Sequence, residues 1–107
     1  MTPWVYLAAA ILSEVGGTIS LRIATSGRAG LYAVTTVGYV ASFVFLSLAL
    51  HDGLGLGVAY GIWAAVGVAL TALASRYLFS EALTPVMALG IALIVGGVLL
   101  VEVGGGH

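Results

Sequence analysis

"AAAILSEVGGTIS" (residues 8–20) holds one carboxylate, Glu14, in a stretch that is otherwise apolar or small. Extended in both directions, the stretch runs from Pro3 to Leu21 with no second charge. That length is close to the ~20 residues a helix needs to cross ~30 Å of hydrocarbon. At 1.5 Å per residue, Glu14 lies on the order of 16 Å along such a helix, near the bilayer centre. An acid at that depth costs on the order of 2.5–3.5 kcal/mol on insertion scales. The segment therefore reads as a membrane helix whose one charge is kept for function.

The rest of the chain repeats the pattern. Three more apolar segments run roughly over residues 31–50, 55–75 and 84–101, and all are too long and too continuously apolar for barrel strands. Hydrophobic residues make up 62% of the chain and charged residues 7%, where a soluble domain carries about 25% charged residues. Mean hydropathy is +1.22. The expectation is an all-α membrane protein, one four-helix transmembrane domain over residues 1–107. The connections "RIATSGRAG", "HDGLG" and "RYLFSEAL" are short, and Thr84-Pro85 reads as a helix start. The terminal "GGGH" reads as frayed. The first segment reads as a retained helix and not a cleaved leader, because no basic region precedes it and Glu14 would fall in its apolar core.

Several functions are excluded by composition. Cysteine is absent, and the two histidines, His51 and His107, fall at a loop and at the C-terminus, so no metal site or cofactor is expected. Net charge is −1 and the cations are Arg22, Arg28 and Arg76, which leaves no basic patch for nucleic acid. No nucleophile–base pair suggests an enzyme.

On a helix, Glu14 shares a face with Leu7, Ala10, Ile11, Gly17, Thr18 and Leu21, much of it small. The arginines lie near helix ends and do not neutralise it. Two neutralisers remain, a proton and a cationic ligand. Occupancy by one excludes the other, and that exclusion is an exchange mechanism. The alternative is a protonated acid that only bonds a neighbouring helix.

"GVAYGIWAAVG" (residues 57–67) places Tyr60 and Trp63 three apart on one helix face, with Trp63 too deep for an interfacial belt. Aromatic faces attract organic cations, by ~2 kcal/mol or more when water is excluded. Tyr39 is a third candidate. Tyr6, two turns from Glu14, could close one end of a site, and Trp4 reads as an interfacial anchor. Ordinary packing is the alternative for this set. Gly57, Gly61 and Ala65 form a small row suited to close helix approach, and Gly67 permits bending. Gly90 and Gly97 share a face of the last helix, which has neither acid nor aromatic residue, and are assigned to dimerisation. Packing within one chain is the alternative. Transporters place their site between two structural halves, and a chain this short has one, so transport would require an oligomer.

These residues together resemble the small multidrug resistance transporters along essentially the whole chain. The resemblance rests on four helices in about 110 residues, "AILSEVGGTISLR", "YVASF", "AYGIWAAVG" and the pair Gly90 and Gly97. It implies a proton-coupled exporter of hydrophobic cations built as an antiparallel dimer. The family's membrane glutamate falls on Glu14, and its substrate-site aromatics on Tyr39, Tyr60 and Trp63, with Tyr6 as a further match. Its small helix-one positions fall on Ala10, Gly17 and Thr18, and its helix-two serine on Ser42; Ile11 joins this set through its place on the Glu14 face. The guanidinium branch typically carries Trp where this chain has Gly17. A smaller residue enlarges the site and favours bulky cations, so quaternary-ammonium and multidrug export is preferred over export of guanidinium or a small polyamine. A non-transporting membrane assembly subunit is the alternative from a different class.

The three arginines fall near the first and third loops, on one side of the membrane. The positive-inside tendency then puts both termini outside. An antiparallel homodimer needs both orientations from this chain, whereas a heterodimer needs an oppositely biased sister subunit.

Overall fold

The computed structural model describes residues 2–104. Four helices follow one another: α1 (Pro3–Thr25), α2 (Leu31–His51), α3 (Leu56–Leu78) and α4 (Pro85–Gly104), with no strand among the described residues. Each is long and apolar enough to cross a membrane. His107 and most of the "GGGH" stretch lie outside the described residues.

The helices run past the first polar residue that follows each apolar run. The sequence reading stops the first helix at Leu21, yet α1 continues through Arg22 to Thr25; it stops the third at Ser75, yet α3 continues to Leu78. The cause is local. Thr25 donates to the Arg22 carbonyl at 2.8 Å, and Arg22 and Arg76 sit in last turns, where the helix dipole favours cations. Hydrophobicity ends where hydrocarbon ends, and the helix ends one turn later in the headgroup layer.

The turns are closed by backbone bonds. After α2, Asp52 N donates to Leu48 O at 3.0 Å and Leu54 N to Ala49 O at 3.2 Å, with Gly53 at φ 104°, a conformation in which a Cβ would be strained. After α3, Phe79 N and Glu81 N both donate to Ser75 O, and Ser80 takes the left-handed conformation at φ 55°. Thr84 caps α4, its hydroxyl accepting from Met87 N at 3.1 Å, with Pro85 at the first helical position.

The packing is uneven. α1 lies against α2 over most of its length and also against α3; α2 touches α3 lightly; α4 packs only on α3. The core is Leu7, Ala10, Ile11 and Val15 of α1 with Leu46 and Ala49 of α2 and Ala59 and Ile62 of α3. No residue of α4 is buried. The Cα envelope measures 45 × 34 × 16 Å, so the helices form a flattened, open layer. In water this would leave large apolar faces exposed; in hydrocarbon those faces cost nothing.

The tightest approach is between α1 and α2. A Cβ on Gly38 would fall 2.9 Å from Ser13 O and 3.1 Å from Gly17 Cα, so main chain meets main chain there. The absence of both side chains is what lets the pair close.

Candidate functional site

Glu14 has eleven helical residues on either side in α1, and Gly67 has eleven on either side in α3. Two helices of equal length, running the same way, set these midpoints level. The Glu14 carboxylate lies against Gly67, where an added Cβ would come within 2.7 Å of Oε2. Gly67 is therefore the seat of the acid. Oε2 is buried and has no hydrogen-bond partner among the described residues. Oε1 lies 3.4 Å from Thr18 Oγ1, which also lies 3.0 Å from the Glu14 carbonyl. Thr18 and Tyr39 share a hydrogen bond of 2.8 Å. With the Thr18 proton directed at Glu14, the Tyr39 hydroxyl is the donor to Thr18.

The carboxylate opens on a cavity of about 190 Å³ lined by Glu14, Tyr39, Ser42, Phe43 and Trp63. Ser42 is fully buried and donates to Ala10 O at 2.7 Å; the Trp63 indole N–H donates to Ser42 Oγ at 3.0 Å. One hydroxyl thus ties α1, α2 and α3 together and fixes the indole plane. Trp63 also packs against Phe43 at 5.6 Å and Tyr60 at 5.5 Å between ring centroids, both tilted. The cavity wall is aromatic on three sides with one acid on the fourth. Desolvated aromatic faces and a carboxylate suit an organic cation.

The residues singled out in the sequence divide into three groups. Glu14, Tyr39, Ser42 and Trp63 meet at this cavity. Tyr60 is the neighbour of Trp63 and is mostly exposed on the open side of the layer. Ala10, Ile11 and Gly17 do not line the cavity; they are buried against the other helices. Gly17 in particular does not enlarge the site, because the Tyr39 ring fills the space, with its carbons 3.0 and 3.1 Å from where a Cβ would stand. Thr18 sits behind the carboxylate, and Tyr6 stacks on Phe45 at 6.5 Å, away from the cavity lining. A Cβ added at Gly90 or Gly97 would meet nothing within 4 Å, and both glycines are half-buried on α4.

Two functional residues were not found from sequence. Phe43 lies four residues after Tyr39 on α2, a spacing that places both on one face. Gly67 reads in the sequence as a bending point; its level match with Glu14 becomes visible only when the two helix midpoints are set side by side. Arg22, the nearest cation in sequence, bonds Glu81 at 3.4 Å and Ser26 at 3.0 Å instead of the central acid.

The chain matches the family model described as Small Multidrug Resistance protein over residues 2–94. Multidrug resistance protein EbrB of Bacillus licheniformis is 42% identical over 103 residues, which cover 95% of this chain and 86% of that protein. A multidrug transporter of Pseudomonas aeruginosa is 38% identical over 103 residues, covering 95% of this chain and 93% of its own length. With four membrane-crossing helices and this match, the chain is a multi-pass protein of the bacterial plasma-membrane type and belongs to the small multidrug resistance family.

Proposed function

We propose that this protein is a multidrug exporter that exchanges hydrophobic cations of the quaternary-ammonium type for protons, working as an antiparallel dimer. The observation that carries the reading is the Glu14 carboxylate: mid-membrane, with Oε2 buried and unbonded, and opening on Tyr39, Phe43 and Trp63. A carboxylate without a fixed cation is neutralised by a proton or by a positively charged guest, and the two compete.

Size supports the dimer. Ligand pockets run from about 300 Å³ upward, whereas this cavity is about 190 Å³ and lies on an open layer. One subunit offers half a site. A second, inverted copy would face its own Glu14 and aromatics across the same space, and α4, which buries no residue in its own chain and leaves open space at Gly90 and Gly97, would carry the contact. A heterodimer with a sister subunit would build the same site with one foreign half.

Polarity supports bulky, greasy cations over guanidinium or a small polyamine. A guanidinium brings five N–H donors that need acceptors. Here the Glu14 carboxylate is the acceptor left free: the Ser42 hydroxyl is already engaged with Ala10 O and Trp63, and the rest of the lining is the Tyr39, Phe43 and Trp63 rings.

The test is transport in proteoliposomes under a pH gradient, with tetraphenylphosphonium, a quaternary ammonium compound and guanidinium as separate substrates. The expected result is proton-driven movement of the first two. Movement of guanidinium alone would overturn the substrate reading, and no pH-driven movement of any of the three would overturn the exporter reading.

A further inference from the structure

α1 and α3 carry a second polar feature on the other side of Thr18 from the aromatic cavity. A cleft of about 180 Å³ runs between the two helices, lined by the polar Thr18, Arg22, Thr71, Ser75 and Glu81 together with the apolar Ile19 and Phe79. The spacing makes it a seam: Thr18 and Arg22 are one turn apart on α1, and Thr71 and Ser75 are one turn apart on α3, with Phe79 one turn further at its C-cap. At 1.5 Å per residue, Thr18 stands about 6 Å and Arg22 about 12 Å along the axis from Glu14. The seam therefore covers most of the ~15 Å half-thickness of hydrocarbon on that side. On the other side of Glu14, α1 presents Leu7, Ala10 and Ile11, all buried in apolar packing.

From this geometry, and resting on the proton-exchange reading above, we infer that the α1–α3 seam is the aqueous route by which protons reach Glu14, separate from the aromatic cavity that receives the cation. At ~30 Å³ each, about six waters fit the seam. The Thr71, Ser75 and Thr18 hydroxyls, with Arg22 and Glu81 at the outer end, supply polar partners along it. Thr18 closes the inner end, 3.4 Å from Oε1. The outer end is closed by Arg22, which bonds Glu81 at 3.4 Å and lies 5.0 Å over the Phe79 ring. Both members of that pair are about half exposed (49% and 48%), and such pairs are weak, so this mouth opens readily. The left-handed Ser80 and the Glu81 N–H bond to Ser75 O turn the loop back so that Glu81 meets Arg22.

The step is a proton transfer. Hydrated H⁺ in the seam protonates the Glu14 carboxylate to the neutral acid, and water is left behind; the reverse step releases H⁺ as a cation binds. The ionisable groups around Glu14 are few. α2 offers the Tyr39 hydroxyl through Thr18, α3 offers Gly67 and no ionisable side chain at that level, α1 offers Arg22 at the mouth beside Glu81, and α4 does not touch α1.

The test compares the purified, reconstituted protein with the double variant Thr71→Val, Ser75→Ala, which dries the seam with little change of shape. Tetraphenylphosphonium is mixed rapidly with each, and proton release is followed with a pH dye. The expected result is tetraphenylphosphonium affinity within about twofold of the parent at high pH, with proton release slowed about tenfold or more. Glu81→Gln, which loosens the mouth from the solvent side, should quicken release and serves as the second arm. Equal release rates in parent and both variants would overturn the seam while leaving exchange intact. Absence of proton release from the parent itself would overturn the exchange reading and the seam with it.

Discussion

At the scale of single residues, the proposed exchange rests on Glu14 and on the atom pairs that hold it. Glu14→Gln keeps the shape and removes both the charge and the titration. It is expected to abolish proton-driven uptake of tetraphenylphosphonium while leaving the fold intact, read by transport beside circular dichroism. For the unaltered protein the sign of the pH effect follows from competition. In the proposed exchange the cation binds the deprotonated acid, so affinity should be complete above the titration of the carboxyl and fall below it, by roughly tenfold per pH unit for one proton exchanged. Isothermal titration at several pH values checks this, and a flat profile contradicts it. Gly67 gives a sharper case. The Cβ of Gly67→Ala would meet the free end of a flexible side chain, Oε2 at 2.7 Å, so the carboxylate moves and the backbone does not. Up to about 1 kcal/mol of helix propensity is regained. The variant should fold as well as the parent and lose cation affinity by about tenfold or more, on the order of 1.4 kcal/mol.

At the scale of helices, the fold was legible and the site only partly. Length and hydropathy place four helices, because hydrocarbon leaves the backbone no other solution. Their last turns were hidden, since Arg22 and Arg76 are polar by composition and helical by position. Glu14 and Trp63 stood out because each is costly or unusual where it sits. Phe43 and Gly67 did not, because their meaning lies in which helix faces which. Gly17 was read as room for a guest and is in fact the landing place of Tyr39. The same logic separates two glycine substitutions. Gly38→Ala would push a Cβ to 2.9 Å from Ser13 O, a main-chain atom that cannot swing aside. Such overpacking typically costs 1–3 kcal/mol, about the scale on which a small protein loses its fold. The expected outcome is a lowered melting temperature and lower yield for Gly38→Ala, in contrast to Gly67→Ala.

At the scale of the whole molecule, the open layer and the bare α4 make the dimer testable apart from transport. A Cβ at Gly97 meets nothing within 4 Å in its own chain, so the first atom of the side chain in Gly97→Leu has room in the subunit. It should nonetheless dissociate the dimer, read by cross-linking or sedimentation in detergent, and transport should fall with it. Orientation is checked by a reporter at the C-terminus: signal from both sides of the membrane supports a homodimer of inverted copies, and signal from one side contradicts it. The attachment of α4 to α3 alone has a further consequence for how the protein is made. Following the other three helices in the chain, α4 finds only α3 to pack against, so in the proposed dimer its packing would be completed by an encounter between newly inserted copies in the plane of the bilayer. Abundance would then act as a ligand: in the proposed dimer, thinly expressed subunits would linger unfinished and open to proteolysis, and survival per copy would rise with synthesis rate.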